Sequence, residues 1–240
     1  MLNIEIIRCL KDNYSYLIHE ADSNLVAVVD PSEFKPVDDL VRKKYKKIDF
    51  IFNTHHHFDH VGGNEDLKKK YNSQIVASFI DQNKIPGIDI SVKDNEIFKF
   101  GKIDFNIILI PGHTKGHIAF YSKKNKIIFT GDTLFSLGCG RVFEGTLNEM
   151  FDSINKIKAL PNKTKVYFGH EYTKSNLEFC IQIEKNNIYL RKKSEWINSK
   201  INNNLPTSPS TIEEELKTNV FLRCKNIDIK SYLKMIKASD

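Results

Sequence analysis

The sequence predicts a layered α/β fold followed by a smaller helical part. Short apolar strands rich in Ile, Val and Phe alternate with amphipathic helices through the first two thirds of the chain, and strand signals vanish from Thr173 onward. A chain of 240 residues, 40% of them hydrophobic, can bury one substantial core and a small appendage. We therefore expect an α/β domain over residues 1–172 and a helical domain over residues 173–240.

The spacing of apolar residues places the elements of the α/β domain in order. A helix is predicted over residues 36–45, ahead of a strand over residues 48–52. The later elements are strands over 107–110, 118–121 and 127–130, a helix over 148–159 and a strand over 166–168.

The helical domain is predicted to contain one clear break. Apolar residues between 177 and 197 recur at helical spacing, whereas residues 202–209 are rich in asparagine and contain two prolines. Thr211 followed by Glu213 and Glu214 is typical of a helix start. We expect helices on both sides of this break and no strand.

The most informative motif is the segment 55–60, which contains four histidines and an aspartate. Neutral imidazole is the commonest metal ligand in proteins. Side chains alternate along an extended segment, so His55 and His57 are expected to point together and His56 away from them. Asp59 and His60 come just before a Gly-Gly-Asn sequence that can open a helix. The motif therefore predicts a strand-to-helix turn that presents ligands to two adjacent metal ions.

Three later strands each end in a residue that can bind a metal ion. His113, Asp132 and His170 all follow an apolar strand and lie beside a glycine. Ligands gather at the strand ends of α/β sheets, so these residues are expected to meet at one edge. Of the eight histidines, only His19 lies outside the segments that contain these motifs.

Counting the candidate ligands predicts two divalent metal ions per chain. A catalytic zinc ion typically takes three protein ligands and keeps one position for water. Asp132 is left to bridge the two ions, and we assign Asp59 and Asp132 to catalysis as ligands, not as independent bases. Zinc is the expected metal, with iron or manganese as alternatives, because His/Asp sites accept all three. The two predicted ligand sets are His55, His57 and His113, and Asp59, His60 and His170.

Three further polar residues are expected near the ligands. His117 and His56 are interpreted as hydrogen-bonding residues and not as ligands. Asp30, at the end of an early strand, is open to two interpretations. It either orients a ligand imidazole or is a turn residue before Pro31.

The pattern His-x-His-x-Asp-His, with a later His, Asp and His, resembles the metallo-β-lactamase superfamily. Further motifs narrow the resemblance to the glyoxalase II, or hydroxyacylglutathione hydrolase, family. The resemblance implies an αββα sandwich with a small C-terminal helical domain. The segments that carry it are 9–18, 131–135, 138–146, 169–173 and 219–223.

The same resemblance implies a reaction. Members of this family hydrolyse S-(2-hydroxyacyl)glutathione, such as S-D-lactoylglutathione, to glutathione and a 2-hydroxy acid, such as D-lactate. The reaction belongs to methylglyoxal detoxification, and a hydroxide bound by two metal ions attacks the thioester. We therefore expect a small-molecule glutathione thioester as the partner.

The resemblance also assigns substrate-binding residues. Arg141 and Phe143 stand where the family binds glutathione through a basic residue, often Lys, and an aromatic one, often Tyr. Arg can bind a carboxylate bidentately, whereas Phe143 lacks the hydroxyl. Tyr172 matches the family tyrosine after the last histidine. Lys234 and Lys237 are either the equivalent of the C-terminal Arg-x-x-Lys or surface lysines on an amphipathic helix.

Composition adds expectations about partners and compartment. The net charge is +6, but basic residues are dispersed among acids, so we expect solvated faces and no nucleic-acid partner. The four cysteines lack C-x-x-C spacing and suit reduced thiols. No signal peptide or membrane span is evident in the sequence. We therefore expect a cytoplasmic monomer.

Three rival functions remain at this stage. A persulfide dioxygenase has a related scaffold but uses a single iron, which would leave His60 and His170 without a metal role. A tRNA-processing nuclease of the superfamily would need an inserted basic arm, and none is visible in the sequence. A non-catalytic binding module would not need a complete ligand set. Metal content per chain separates the first rival, and an RNA cleavage assay separates the second.

Overall fold

The computed structural model describes residues 2–223 and Ser231. Residue 1 and the segments 224–230 and 232–240 are outside the described part. The predicted substrate-binding residues Lys234 and Lys237 therefore lie outside the described residues.

The first part of the chain forms a six-stranded mixed sheet in sequential strand order. The first three strands are antiparallel neighbours, and the later ones pair in parallel. The helices lie in the crossovers between parallel strands, as parallel pairing requires. The elements are β1 (Leu2–Cys9), β2 (Asn13–Glu20), β3 (Leu25–Val29), α1 (Phe34–Lys44), β4 (Phe50–Phe52), α2 (Phe58–Val61), α3 (Asn64–Tyr71), β5 (Gln74–Ser78) and β6 (Ile88–Val92).

A second six-stranded sheet has the order β14-β13-β10-β9-β8-β7. Its strands are β7 (Ile97–Phe100), β8 (Ile103–Leu109), β9 (Ile118–Ser122), β10 (Ile127–Gly131), β13 (Lys165–Phe168) and β14 (Ser210–Thr211). The remaining elements are the hairpin strands β11 (Leu134–Phe135) and β12 (Gly138–Cys139) and the helices α4 (Leu147–Lys158), α5 (Thr173–Ile183), α6 (Ile188–Asn202), α7 (Ile212–Thr218) and α8 (Val220–Arg223).

The central strands β3, β9 and β10 are buried on both faces, which explains why they are largely apolar. On β3, Ala27 and Val29 belong to the core between the sheets, whereas Val26 and Val28 belong to the core under α1 and α3. This alternation follows from the two-residue period of a strand. Phe52 lies in the inter-sheet core, where its ring stacks on Phe120 at 4.9 Å. The layered sandwich predicted from the sequence is confirmed.

The predicted absence of strands after residue 173 is wrong. Ser210 and Thr211 form β14, which pairs antiparallel with β13 at the edge of the second sheet. The strand has only two residues and both carry hydroxyls, so it shows none of the apolar alternation that identifies strands. The helix start predicted at the same place is confirmed, because Thr211 and Glu214 form a capping box on α7.

No helix in the described part of the chain is long and apolar enough to cross a membrane.

Candidate metal centre and substrate cleft

The predicted ligand residues meet at one edge of the sandwich, beyond the carboxyl ends of the strands. The segment after β4 carries His55 and His57, and His57 is the N-cap of α2 with extended backbone angles. The chain changes from extended to helical at this residue, which turns Asp59 and His60 back toward the same space. His113, Asp132 and His170 follow β8, β10 and β13.

The first candidate ligand set contains three imidazoles. Nitrogen atoms of His55, His57 and His113 all lie within 4.8 Å of one another. His57 Nδ1 and His113 Nε2 are 2.9 Å apart. Burial lowers the pKa of all three histidines, that of His57 to about 4 and that of His55 well below its usual value. At neutral pH these rings are uncharged, so their nitrogen lone pairs can bind a cation.

The second candidate set contains a carboxylate and two imidazoles. Ligand atoms of Asp59, His60 and His170 lie within 4.8 Å of one another. His170 Nε2 is 3.3 Å from both His60 Nε2 and Asp59 Oδ2. The pKa of Asp59 is lowered, because hydrogen bonding to His170 and the charge of His60 outweigh the effect of burial. Asp59 is therefore a carboxylate at neutral pH.

Asp132 reaches both sets with one carboxylate. Its Oδ2 is 3.5 Å from His113 Nε2 in the first set and 3.1 Å from His170 Nε2 in the second. Its Oδ1 is 3.3 Å from His60 Nε2. Burial alone would raise its pKa, but the charges of His170 and His60 hold that pKa well below its usual value. The Asp132 carboxylate thus lies within 3.5 Å of members of both sets.

The donor atoms fit a pair of divalent ions. His55 Nε2 is buried and has no hydrogen-bond partner among the described residues. Buried polar atoms without partners are uncommon, and a metal ion is one group that satisfies them. Three imidazoles in one set, a carboxylate with two imidazoles in the other, and a shared carboxylate match the donors of binuclear hydrolytic sites.

The second set carries protons when no metal is bound. Burial opposes protonation of His60, but Asp132 and Asp30 raise its pKa to about 10. Burial likewise opposes protonation of His170, and Asp132 and Asp59 raise its pKa to about 12. A cation at this set would take the place of these protons, because a ligand imidazole must be neutral.

Carboxylates contact the Nδ1 atoms of two candidate ligand imidazoles, on the side of the ring away from the shared Asp132. Asp30 Oδ2 lies 3.1 Å from His60 Nδ1, and Asp30 also accepts two hydrogen bonds from Thr54. Of the two interpretations of Asp30, the structure therefore supports the orienting one. Asp12 Oδ1 lies 2.8 Å from His170 Nδ1. Such contacts fix which imidazole nitrogen faces the metal.

Sequence reasoning missed Asp12 and its neighbour Asn13. The Asn13 side chain donates to Asp59 Oδ2 at 2.9 Å and thereby orients a candidate ligand. Asp12 ends the turn between β1 and β2, Asn13 is the first residue of β2, and an isolated bridge joins Asn13 to His170. Asp-Asn in a turn is an ordinary hairpin sequence. Only the strand register, which the sequence does not display, brings it to the site.

His117 and His56 lie outside both sets, as their interpretation required. His117 Nε2 accepts a hydrogen bond from the Asp132 backbone N–H at 3.1 Å, and its ring stacks on His55 at 4.6 Å. His56 points away, with its nitrogens 3.4 Å from Asp81 and Glu144. His117 supports the position of Asp132, and His56 contacts the neighbouring loops.

Gly169 leaves the space that the shared carboxylate occupies. A Cβ atom at this position would lie 2.2 Å from Asp132 Oδ1 and 2.8 Å from His60 Cε1. Neither group can move without leaving its ligand set. The glycine before His170 is therefore required by close approach.

A cleft of about 580 Å³ opens over the candidate metal centre. Tyr172 lies parallel to the His170 ring, with 4.7 Å between the ring centroids. Phe143 is 62% exposed and lies 5.1 Å from the His113 ring. Arg141 lines the same cleft, and its carbonyl accepts a hydrogen bond from His113 Nδ1 at 2.8 Å. The structure thus brings Arg141, Phe143 and Tyr172 together beside the candidate ligands.

Two family models match the chain. The model of the metallo-beta-lactamase superfamily matches residues 11–81 and 74–170. The model described as the hydroxyacylglutathione hydrolase C-terminus matches residues 171–240.

Curated relatives match nearly the full length of the chain. A hydroxyacylglutathione hydrolase from Pelagibacter ubique is 53% identical over 92% of this chain and 93% of its own length. A hydroxyacylglutathione hydrolase from Methylococcus capsulatus is 42% identical over 97% of this chain and 91% of its own length. The crystal structure of ETHE1 from Myxococcus xanthus has a TM-score of 0.75 at 20% identity, covering 98% of this chain and 91% of that one. At this identity the likeness to ETHE1 shows a common fold alone.

Replacing Asp132 by alanine should deplete both metal ions. The change removes one ligand from each ion at once, so the loaded protein should lose most of its bound metal and nearly all turnover. Metal content per chain, measured by mass spectrometry after gel filtration, checks this. Asp104→Ala, an exposed substitution on β8, is the control. An Asp132→Ala protein that keeps both ions would contradict the shared-ligand assignment.

The metal-free protein should become less stable as pH rises from 6.5 to 8.5. The folded pKa values of His60 and His170 lie above the unfolded value of 6.5. Their contribution to the free energy of unfolding is therefore complete below pH 6.5 and is lost as pH rises toward the folded-state pKa values. The lowered pKa values of His55 and His57 change the pH dependence of stability only below pH 6.5. Urea unfolding of chelator-treated protein measures the effect. His60→Gln should flatten the dependence, and an unchanged slope would contradict the assignment.

Proposed function

This chain belongs to the hydroxyacylglutathione hydrolase family of the metallo-β-lactamase superfamily, and we propose that it hydrolyses S-(2-hydroxyacyl)glutathione. The products are glutathione and a 2-hydroxy acid, as in the conversion of S-D-lactoylglutathione to D-lactate during methylglyoxal detoxification. One observation carries the proposal. Two ligand sets that share Asp132 form the floor of a cleft lined by Arg141 and Tyr172.

The proposed cofactor is a pair of divalent ions held by the two sets, with Asp132 between them. Zinc is the proposed metal, and iron or manganese would suit the same donors. When bound, such a pair supplies a hydroxide at neutral pH and polarises a carbonyl oxygen. The donor chemistry and the unsatisfied buried Nε2 atom of His55 support this assignment.

The residues of the chain prepare the site for thioester hydrolysis. Asp59 and Asp132 stay ionised at neutral pH, so they serve as ligands and not as proton donors. The leaving group is a thiolate whose thiol has a pKa of about 8.5, so it departs without a general acid. Asp30 and Asp12 keep the imidazoles of His60 and His170 in one orientation through their Nδ1 atoms.

Substrate binding is proposed to depend on the cleft wall. The Arg141 guanidinium is proposed to pair with a glutathione carboxylate. The Tyr172 ring, fixed by its stacking on His170, is proposed to contact the peptide. Phe143 offers an aromatic face beside His57 and His113 but no hydroxyl. Lys234 and Lys237 remain proposed contacts outside the described residues.

The domain division at residues 172 and 173, a monomeric state and a cytoplasmic location complete the proposal. The start of α5 at Thr173 supports the boundary. The lack of paired spacing among the four cysteines suits a reducing compartment.

Purified, metal-loaded protein should hydrolyse S-D-lactoylglutathione. The decrease in thioester absorbance and the release of free thiol measure the reaction. Parallel incubations with a lactone that lacks the thioester and with RNA test the rival classes. If the protein leaves S-D-lactoylglutathione intact but cleaves another ester or a phosphodiester, the proposed function is wrong.

Arg141→Ala should mainly raise KM. Loss of one charged hydrogen bond costs about 1.5–3 kcal/mol, or roughly ten- to a hundred-fold in kcat/KM. The effect should shrink with thioesters that lack the glutathione carboxylates, because these thioesters offer Arg141 no carboxylate to bind. Arg191→Ala, on the exposed surface of α6, is the control. If Arg141→Ala behaves like this control, the basic contact comes from elsewhere, and Lys234 and Lys237 become the residues to test.

A further inference from the structure

The hairpin of β11 and β12 makes a tight turn at the edge of the cleft. Phe135 pairs with Gly138, so residues 136 and 137 form the turn. Leu137 has a φ of 63°, in the left-handed region that disfavours residues with a Cβ atom. Glycine or asparagine is usual where a turn needs this conformation. Leu137 is also fully buried. The surroundings must therefore hold this backbone in place.

Side chains of the helical part satisfy the polar groups of this turn. The Leu137 N–H donates to Glu215 Oε2 at 2.7 Å, and Asn219 Nδ2 donates to the Gly138 carbonyl at 3.1 Å. Two further donors reach the turn: Cys180 Sγ to the Leu137 carbonyl at 3.1 Å, and Asn176 Nδ2 to the Ser136 carbonyl at 3.0 Å.

Glu215 and Asn219 act as one fixed unit. Asn219 Nδ2 donates to Glu215 Oε2 at 2.9 Å, and Ser210 Oγ donates to the other carboxylate oxygen. Asn219 Oδ1 accepts the Phe221 N–H at 3.0 Å. Both side chains are fully buried. Buried groups held by several hydrogen bonds have few alternative positions, so they fix the turn that they contact.

The position of this turn determines the position of one wall of the cleft. The Phe135 ring lines the cleft and lies 5.4 Å from Tyr172, edge to face. The chain continues from β12 to Arg141, whose carbonyl accepts the hydrogen bond from His113. Glu215 and Asn219 do not line the cleft themselves. Any effect they have on substrate must therefore pass through the turn and the cleft residues next to it, which include Phe135, Cys139 and Arg141.

We propose that Glu215 and Asn219 are positioning residues for substrate binding, because they hold the left-handed Leu137 turn and so place Phe135 and Arg141 in the cleft wall. The inference rests on the proposed function only for the identity of the ligand. It gives the helical part a second role, since residues remote from the cleft shape the wall that the substrate contacts. The second candidate ligand set has its own supports, Asp30 and Asp12, whereas His113 of the first set contacts the Arg141 carbonyl of the wall.

Glu215→Ala tests this directly. It leaves the Leu137 N–H without a partner, so KM for S-D-lactoylglutathione should rise about tenfold while kcat and metal content change little. The Kd of a non-hydrolysable S-alkylglutathione, measured by calorimetry, should rise by a similar factor. Glu215→Gln keeps an oxygen acceptor and should restore both values. Glu213→Ala is the control, because Glu213 lies on the same helix, is exposed and pairs with Lys217.

Two milder substitutions at Cys180 test the inference if the Glu215→Ala protein does not fold. Cys180→Ala removes the donor to the Leu137 carbonyl and should raise KM and Kd about two- to threefold, and Cys180→Ser should restore them. Equal KM and Kd in Cys180→Ala, Glu215→Ala and the control would overturn the inference. A loss of kcat together with metal would also overturn it.

A wild-type protein that binds S-alkylglutathione but hydrolyses no thioester would refute the proposed function alone, since Kd would still report on the turn. Failure to bind would refute both.

Discussion

The Asp132 carboxylate is the constraint on which the rest of the site depends. One oxygen lies 3.5 Å from His113 and 3.1 Å from His170, so this side chain connects the two candidate ligand sets. Gly169 and His117 serve that placement: the first by leaving space for the side chain and the second by accepting the backbone N–H. A binuclear site tolerates little displacement of Asp132, because moving this carboxylate changes both candidate ligand sets together.

The supports of the two halves differ in kind. In the second set, carboxylates lie behind both imidazoles, Asp30 behind His60 and Asp12 behind His170. In the first set, a backbone carbonyl lies behind His113. That carbonyl belongs to Arg141, a residue of the cleft wall. The wall and the first ligand set are therefore coupled through one hydrogen bond, whereas the second set depends on the hairpin of β1 and β2 and on Asp30 after β3.

The ligand sets and the layered fold could be predicted from the sequence because both are encoded in local patterns. His113 and His170 are identified by residue type at the end of an apolar strand, which needs no knowledge of tertiary contacts. Asp12 could not be found in this way, since only strand register brings its turn to His170. The strand β14 was missed because two hydroxyl residues carry no apolar period. The contact between Glu215 and Leu137 joins distant segments, and a buried glutamate in a helix gives no local signal of its partner.

The central claim is that one carboxylate joins two metal ions in a single site. Anomalous diffraction at the metal absorption edge, on crystals of the metal-loaded protein, tests it most directly. The account predicts two anomalous peaks per chain, about 3.5–4 Å apart, with the Asp132 carboxylate contacting both. A single peak at either ligand set, or two peaks with Asp132 bound to only one of them, would contradict it.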